Sequence, residues 1–152
     1  MVAIPDQLIW EVTKKTSSFI RKKNGHSKRS GSISFSVEPG NVKSLNKLQY
    51  SGLANSETVD VVCSKDNRAQ LVTKSGRKSG TKVSIIRTNL KNDFRRATKN
   101  VLGQTSKVYY RRDLEAAALG KYTKVYQANR RAKGITKPVT VKKGRTTLDL
   151  DA

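Results

Sequence analysis

Ser32-Ile33-Ser34-Phe35-Ser36-Val37 alternates polar and apolar residues over six positions, the period of a half-buried strand. Glu38-Pro39-Gly40-Asn41 follows as a turn. Lys47-Leu48-Gln49-Tyr50 reads as another short strand, ended near Gly52. Thr58-Val59-Asp60-Val61-Val62-Cys63 is rich in β-branched residues, Asp66-Asn67 supplies a turn, and Ala69–Thr73 returns as its partner. Beyond the loop Ser75–Gly80, Val83-Ser84-Ile85-Ile86 is a last strand-like run. Residues 18–88 are therefore expected to form one antiparallel sheet of four to six short strands, apolar on one face and polar on the other.

The period differs on either side of this region. Near the start, Leu8-Ile9-Trp10 with Val12 follows Pro5-Asp6, which predicts one or two helical turns with Trp10 in the core. Arg21 to Gly31, with two glycines, five basic residues and no apolar member, reads as an exposed loop. After Thr88, Leu90, Phe94, Ala97 and Val101 recur every three or four residues, with Lys91, Arg95, Arg96 and Lys99 between them. That is an amphipathic helix with a cationic outer face, stopped near Gly103.

A second helix fits Asp113 to about Lys133, with Leu114, Ala117, Ala118, Val125 and Ala128 on one face and Tyr122 close by. Its acidic first turn and basic last turn complement the helix dipole. Gly134 and Pro138 end it, and Gly120 inside it implies close approach to a neighbouring element. The expected architecture is α+β. A small antiparallel sheet followed by two helices forms a single domain over residues 1–134, and residues 135–152 form an extended basic C-terminal arm.

Charge changes this picture most. The 152 residues hold 32 Lys+Arg against 11 Asp+Glu, a net charge of +21, with 35% hydrophobic residues. Residues 31–60 carry two basic and three acidic residues, while every other thirty-residue stretch is strongly basic. A thin core under such self-repulsion calls for a polyanionic partner to complete the fold. The single Cys63 excludes a disulfide scaffold and implies a reducing compartment, cytoplasm or nucleus. No apolar run exceeds the four residues of Ala116–Leu119, far short of the ~20 residues of a membrane span, so no membrane partner is expected. Met1-Val2-Ala3-Ile4-Pro5-Asp6 lacks the pattern of a secretory leader.

Catalytic chemistry finds little support. His26 lies among basic loop residues, and Cys63 ends a β-branched run, where a buried structural thiol is expected. No partner completes a Cys–His pair, and the acids are scattered, so neither an enzyme nor a metal site is expected. Gly76-Arg77-Lys78-Ser79-Gly80-Thr81-Lys82 lacks the spacing of a nucleotide-binding phosphate loop. No cofactor and no small-molecule substrate is implied.

The basic clusters are the positive signal. Arg21, Lys22, Lys23, Lys28 and Arg29 form one; Lys74, Arg77, Lys78 and Lys82, with Arg87 beyond, form another. Arg95, then Lys107 with Tyr110, Arg111 and Arg112, then Arg130 and Arg131, and finally Lys142, Lys143 and Arg145 follow on separate elements. Cations dispersed over several elements suit a folded, irregular polyanion, namely structured RNA, whereas a DNA-reading module concentrates its readers on one helix or ribbon. Among the aromatics, Tyr110 is the expected base-stacking residue, while Tyr122 and Tyr126 are expected to cover the core and Tyr109 is open to either role.

Leu8-Ile9-Trp10, Ser17-Ser18-Phe19, Glu38-Pro39-Gly40-Asn41, Tyr50-Ser51-Gly52-Leu53 and Thr58-Val59 occur in this order, followed by Arg87-Thr88, Tyr110-Arg111-Arg112-Asp113-Leu114 with Ala116-Ala117, and Lys137-Pro138. In order and spacing the chain resembles the eukaryotic large-subunit ribosomal protein twenty-eight family over about residues 8–143. The resemblance implies a non-catalytic protein of the cytosolic large subunit, not a homo-oligomer, that reaches the cytoplasm after nucleolar assembly. It implies an α+β fold whose sheet packs with C-terminal helices, with ribosomal RNA and neighbouring large-subunit proteins as partners. The Asn24–Gly31 loop is longer than the family pattern, and Leu148-Asp149-Leu150-Asp151-Ala152 is acidic where the family tail is basic. An alternative is a nucleolar ribosome-biogenesis factor with a similar domain; that family continues into a long acidic region that this sequence does not contain.

Overall fold

The computed structural model of the protein describes residues 4–24, 33–74 and 84–136. Among these, the elements in chain order are α1 (Asp6–Thr16), β1 (Ile20–Asn24), β2 (Ile33–Ser36), β3 (Thr58–Cys63), β4 (Ala69–Lys74), β5 (Ile85–Asn89), α2 (Phe94–Gln104) and α3 (Glu115–Ala132), with single 3-10 turns at Leu48–Tyr50 and Arg112–Leu114. The architecture is α+β, as strands followed by helices predict.

The strands form two sheets rather than one. β3, β4 and β5 make an antiparallel meander in which Val61 faces Leu71 and Leu71 faces Thr88. The hairpin turns at Asn67, whose positive φ of 52° an Asn tolerates well. Val59, Val61, Ala69 and Leu71 are buried on one face, where they meet Leu90, Ala97 and Val101 of the α2 region and Leu114, Ala118 and Tyr122 of the α3 region. Each Val or Leu among them contributes about 1.5–3 kcal/mol on full burial.

The second sheet is the hairpin of β1 and β2, with a bulge between Ile20 and Lys22. Arg21 to Asn24 are thus part of a strand, not of an exposed loop; basic residues on a two-stranded ribbon give no apolar alternation to read. Residues 25–32 lie outside the described residues. Lys47–Tyr50 is also not a strand. Asn55 Nδ2 donates to Leu48 O (2.6 Å) and Ser51 O (2.8 Å), and Ser51 Oγ accepts from Ala54 N. Such local side-chain bonds offer the backbone an alternative to a ladder and curl the segment into a turn.

Between the sheets, the Glu38–Asn41 turn docks on Gly52. The buried Glu38 carboxylate accepts from Asn41 Nδ2 (3.1 Å), Gly52 N (3.2 Å) and Ser51 Oγ (3.4 Å). The contact is close enough that a Cβ at Gly52 would lie 1.9 Å from Pro39 O. Two of the motifs that carry the family resemblance are therefore one interlocked structural unit.

α1 runs for 11 residues, longer than one or two turns, because Glu11 and Lys14 pair one turn apart and Lys14 and Lys15 complete the dipole. Asp6 Oδ2 accepts from Ser56 N (2.9 Å) and Asn46 Nδ2 donates to Lys14 O (2.9 Å), pinning both ends. No α1 residue is fully buried, and Trp10 is half-buried rather than a core residue.

α2 is N-capped by Asp93, whose side chain accepts from Arg95 N, and ends at Gln104, one residue past the expected stop near Gly103. Its Phe94, expected on the buried face, is half-exposed with its ring 6.1 Å from that of Tyr122. In α3 the inward positions are Ala118, Tyr122 and Asn129, while Ala128 is exposed. The helical rotation carries Asn129 to the core one turn after Val125, and Ala128 past it. Gly120 is exposed, and among the described residues nothing lies within 4 Å of an added Cβ, so none of them makes the close approach expected there. The helix ends in a Schellman motif: Ile135 N donates to Arg130 O (3.0 Å), Gly134 N donates to Arg131 O (2.9 Å), and Gly134 has φ +75°. The expected arm beyond Thr136 lies outside the described residues.

Candidate nucleic-acid interface

The segment between α2 and α3 carries Lys107, Val108, Tyr109, Tyr110, Arg111 and Arg112; Tyr110 and Arg111 are tethered to the body and the others are exposed. Tyr110 turns inward. Its hydroxyl accepts from Thr58 N (3.1 Å) and lies within hydrogen-bonding distance of Thr58 O and Lys74 O. Burial pushes its pKa above the usual 10.0. The ring packs against the core cluster, so the residue expected to stack on bases is an anchor between helix and sheet.

Arg111 is a second anchor. Its guanidinium donates to Glu57 O (2.7 Å), Gln49 O (2.6 Å) and both carboxylate oxygens of Asp113 (3.0 Å each). The side chain is only 16% exposed. Arg111 hydrogen bonds hold the Asp113 carboxyl below its ordinary range, with a smaller contribution from Gln49. Arg111 was expected among the phosphate-contacting residues; the structure ties its donors to the protein instead.

Tyr109 turns outward. It is 80% exposed, and Arg112 sits over its ring with Cζ 5.4 Å from the centroid. Of the two adjacent tyrosines it is therefore Tyr109, not Tyr110, that presents an exposed ring. Tyr122 and Tyr126 do belong to the core side: Tyr122 is buried, its hydroxyl donates to Lys91 O (2.7 Å), and the two rings stack with centroids 6.1 Å apart. Burial also raises the Tyr122 hydroxyl pKa.

Two further cations hold the fold together. Lys74 Nζ donates to Gly52 O (3.1 Å) and Asn55 O (2.8 Å), linking β4 to the turn that receives Glu38. Lys121, on α3, pairs with the buried Asp60 and donates to Asn41 O (3.2 Å). By contrast Arg21, Arg87, Arg95, Lys107, Arg112 and Arg131 are exposed, and Arg130 is half-buried. Lys22 and Lys23 lie on β1. Lys28, Arg29, Arg77, Lys78, Lys82, Lys142, Lys143 and Arg145, with His26, lie outside the described residues.

The exposed cations are spread over several concave surfaces. Arg87 and Lys65 border a concavity of about 690 Å³ on the open face of the three-stranded sheet, floored by Val62, Val72 and Ile85. Arg130 borders another of about 590 Å³ with Phe94, Tyr122 and Tyr126. A third, also about 590 Å³, joins Trp10, Lys14 and Lys15 to Lys47. Sequence reasoning did not select Lys14, Lys15 or Lys47; the Lys14-Lys15 doublet is visible in the chain, but only folding brings Lys47 to it.

Cys63, expected to be buried, is exposed at the end of β3, where its thiol donates to Asn129 Oδ1 (2.9 Å). Among the described residues no group of three or more His, Cys, Asp or Glu is placed to hold a metal, and no helix is long and apolar enough to cross a membrane.

This strand order, the interlocked Glu38 and Gly52 turns and the Tyr110–Arg111 anchor fall within the region that matches known proteins. The model of the ribosomal L28e protein family matches residues 8–128, short of the end near residue 143 that the resemblance implied. The large ribosomal subunit protein eL28 of Dictyostelium discoideum is 29% identical over 126 residues, covering 83% of this chain and 89% of the relative. The protein of the same description from Caenorhabditis elegans is 43% identical over 56 residues, covering 37% of this chain and 40% of the relative. The chain belongs to the ribosomal L28e protein family.

Proposed function

We propose that the protein is a structural constituent of the large subunit of the cytosolic ribosome and stabilises folded ribosomal RNA through phosphate contacts. The observation that carries this reading is family membership joined to a surplus of unneutralised surface cations. Among the described residues there are four ion pairs, and Arg21, Arg87, Arg95, Lys107 and Arg131 take part in none of them. Cations on the β1–β2 ribbon, the open sheet face and the α2 and α3 surfaces fit a polyanion that touches the body from several sides. Arg supplies bidentate phosphate contacts and Lys point charges. Neighbouring large-subunit proteins are the remaining partners, and the protein passes through the nucleolus during assembly.

Two measurements test the reading. In a polysome gradient the chain should migrate with large subunits, whole ribosomes and polysomes. Confinement to nuclear precursor particles would instead make it a transient assembly factor. The isolated chain should bind folded RNA with affinity that falls by about 0.7–0.9 log units per contacted phosphate for each log unit of salt. A salt-insensitive affinity would contradict phosphate binding.

A further inference from the structure

We propose that Tyr109 is a stacking platform for one unpaired RNA base, with Arg112 beside it to hold the adjoining phosphate. The inference rests on the RNA-binding reading above and names a site within it.

Three observations converge on this residue. First, Tyr109 is 80% exposed and Val108 beside it 67% exposed, so this stretch contributes almost nothing to the core. Second, the outward position is enforced. Tyr109 has φ +57° and Arg111 φ +43°, left-handed conformations that cost a non-glycine residue roughly 1–2 kcal/mol each. The hydroxyl bonds of Tyr110 and the four guanidinium bonds of Arg111 outweigh that cost and hold the backbone between them. Third, the Arg112 guanidinium lies 5.4 Å from the Tyr109 centroid, which covers one ring face, orients the ring and leaves the rest open.

The chemistry of that open face selects the ligand. An aromatic ring with a guanidinium over one face receives a planar, electron-poor π-system joined to an anion on the other, which describes a nucleotide. Stacking on an aromatic side chain is available to every base and contributes on the order of 1–3 kcal/mol. The base must be unpaired, because paired bases hide their faces within the duplex stack. An acidic peptide fits less well: its carboxylates are repelled by the ring's negative face and draw Arg112 off it.

The test uses the full chain and two probes in the same buffer: an oligouridine single strand of about twelve nucleotides, within the ~4–16 of single-strand sites, and a blunt RNA duplex of equal length. Tyr109→Ala should weaken binding to the single strand about ten-fold, change duplex binding by less than two-fold, and leave the salt slope and the thermal unfolding midpoint in place. Tyr109→Phe should bind the single strand as the unsubstituted chain does. Equal losses on both probes, or failure of Tyr109→Phe to restore binding, would overturn the proposal. So would full binding of Tyr109→Ala to the single strand, which would leave the exposed ring to a protein contact. If the unsubstituted chain binds neither probe in a salt-dependent way, the RNA-binding reading itself fails.

Discussion

Arg111 and Asp113 are joined side-on, Nε donating to Oδ1 and Nη2 to Oδ2, both at 3.0 Å. The geometry is the bidentate fork that makes Arg–carboxylate pairs specific. Two further donors of the same guanidinium hold the carbonyls of Gln49 and Glu57. One side chain thus bolts the entry to α3 onto the segment that leads into β3.

Arg111→Ala should therefore act on folding. Hydrogen bonds to charged groups contribute about 1.5–3 kcal/mol, and two backbone carbonyls lose their partner as well. A loss on the order of 2–4 kcal/mol in urea unfolding is expected, against less than about 0.5 kcal/mol for the exposed Arg112→Ala. Equal effects of the two substitutions would show that the bolt carries no weight.

The same pair makes stability depend on acidity. Asp113 has a folded-state pKa below its ordinary 3.8, chiefly through the Arg111 hydrogen bonds. The protonated form is favoured more in the unfolded chain, so this contribution is complete above pH 3.8 and fades as pH falls through the lower folded value. Asp113→Asn should flatten the unfolding free energy between pH 4 and pH 2. A slope identical to that of the unsubstituted chain would remove Asp113 from the acid response.

Tyr110→Phe deletes the acceptor of Thr58 N and the donor to the Lys74 carbonyl. A cost of about 1–3 kcal/mol is expected from the unpaired half-buried groups. Binding to single-stranded RNA, measured where the variant is folded, should not change, because the stacking surface lies on Tyr109.

Two glycines should respond in opposite directions. Gly52→Ala places a methyl 1.9 Å from Pro39 O and should cost at least the ~1–3 kcal/mol of an overpacked site. Gly120→Ala meets nothing within 4 Å and should raise stability by about 1 kcal/mol, read as a higher unfolding midpoint. A neutral Gly52→Ala would mean that the Glu38 turn yields to accommodate the methyl.

Elements whose apolar residues recur at one clear period were legible in the chain. The β-branched run Thr58–Cys63 and its return Ala69–Thr73 became β3 and β4 in the expected pairing, and of the 3-to-4-residue pattern Leu90, Phe94, Ala97 and Val101, the residues Ala97 and Val101 became the buried face of α2. Lys47–Tyr50 misled because its short strand-like run is overruled by the Asn55 side chain, which folds back onto Leu48 O, and by the turn that Ser51 Oγ caps at Ala54 N. Arg21–Asn24 misled because basic residues on a two-stranded ribbon leave no apolar signature. Trp10 and Cys63 misled because hydrophobic identity does not say whether another element arrives to cover the position.

By itself the chain determined its polyelectrolyte character and the nature of its elements, since charge and periodicity are properties of residue order. Which cations remain available follows from how the chain folds. Lys74, Arg111 and Lys121 are indistinguishable in sequence from Arg87, Lys107 and Arg112, yet folding turns the first three onto carbonyls and carboxylates and leaves the others at the surface. The same holds for Tyr109 and Tyr110. Adjacent side chains on a constrained backbone point apart, and the one that meets the Thr58 amide becomes an anchor while its neighbour is left in solvent.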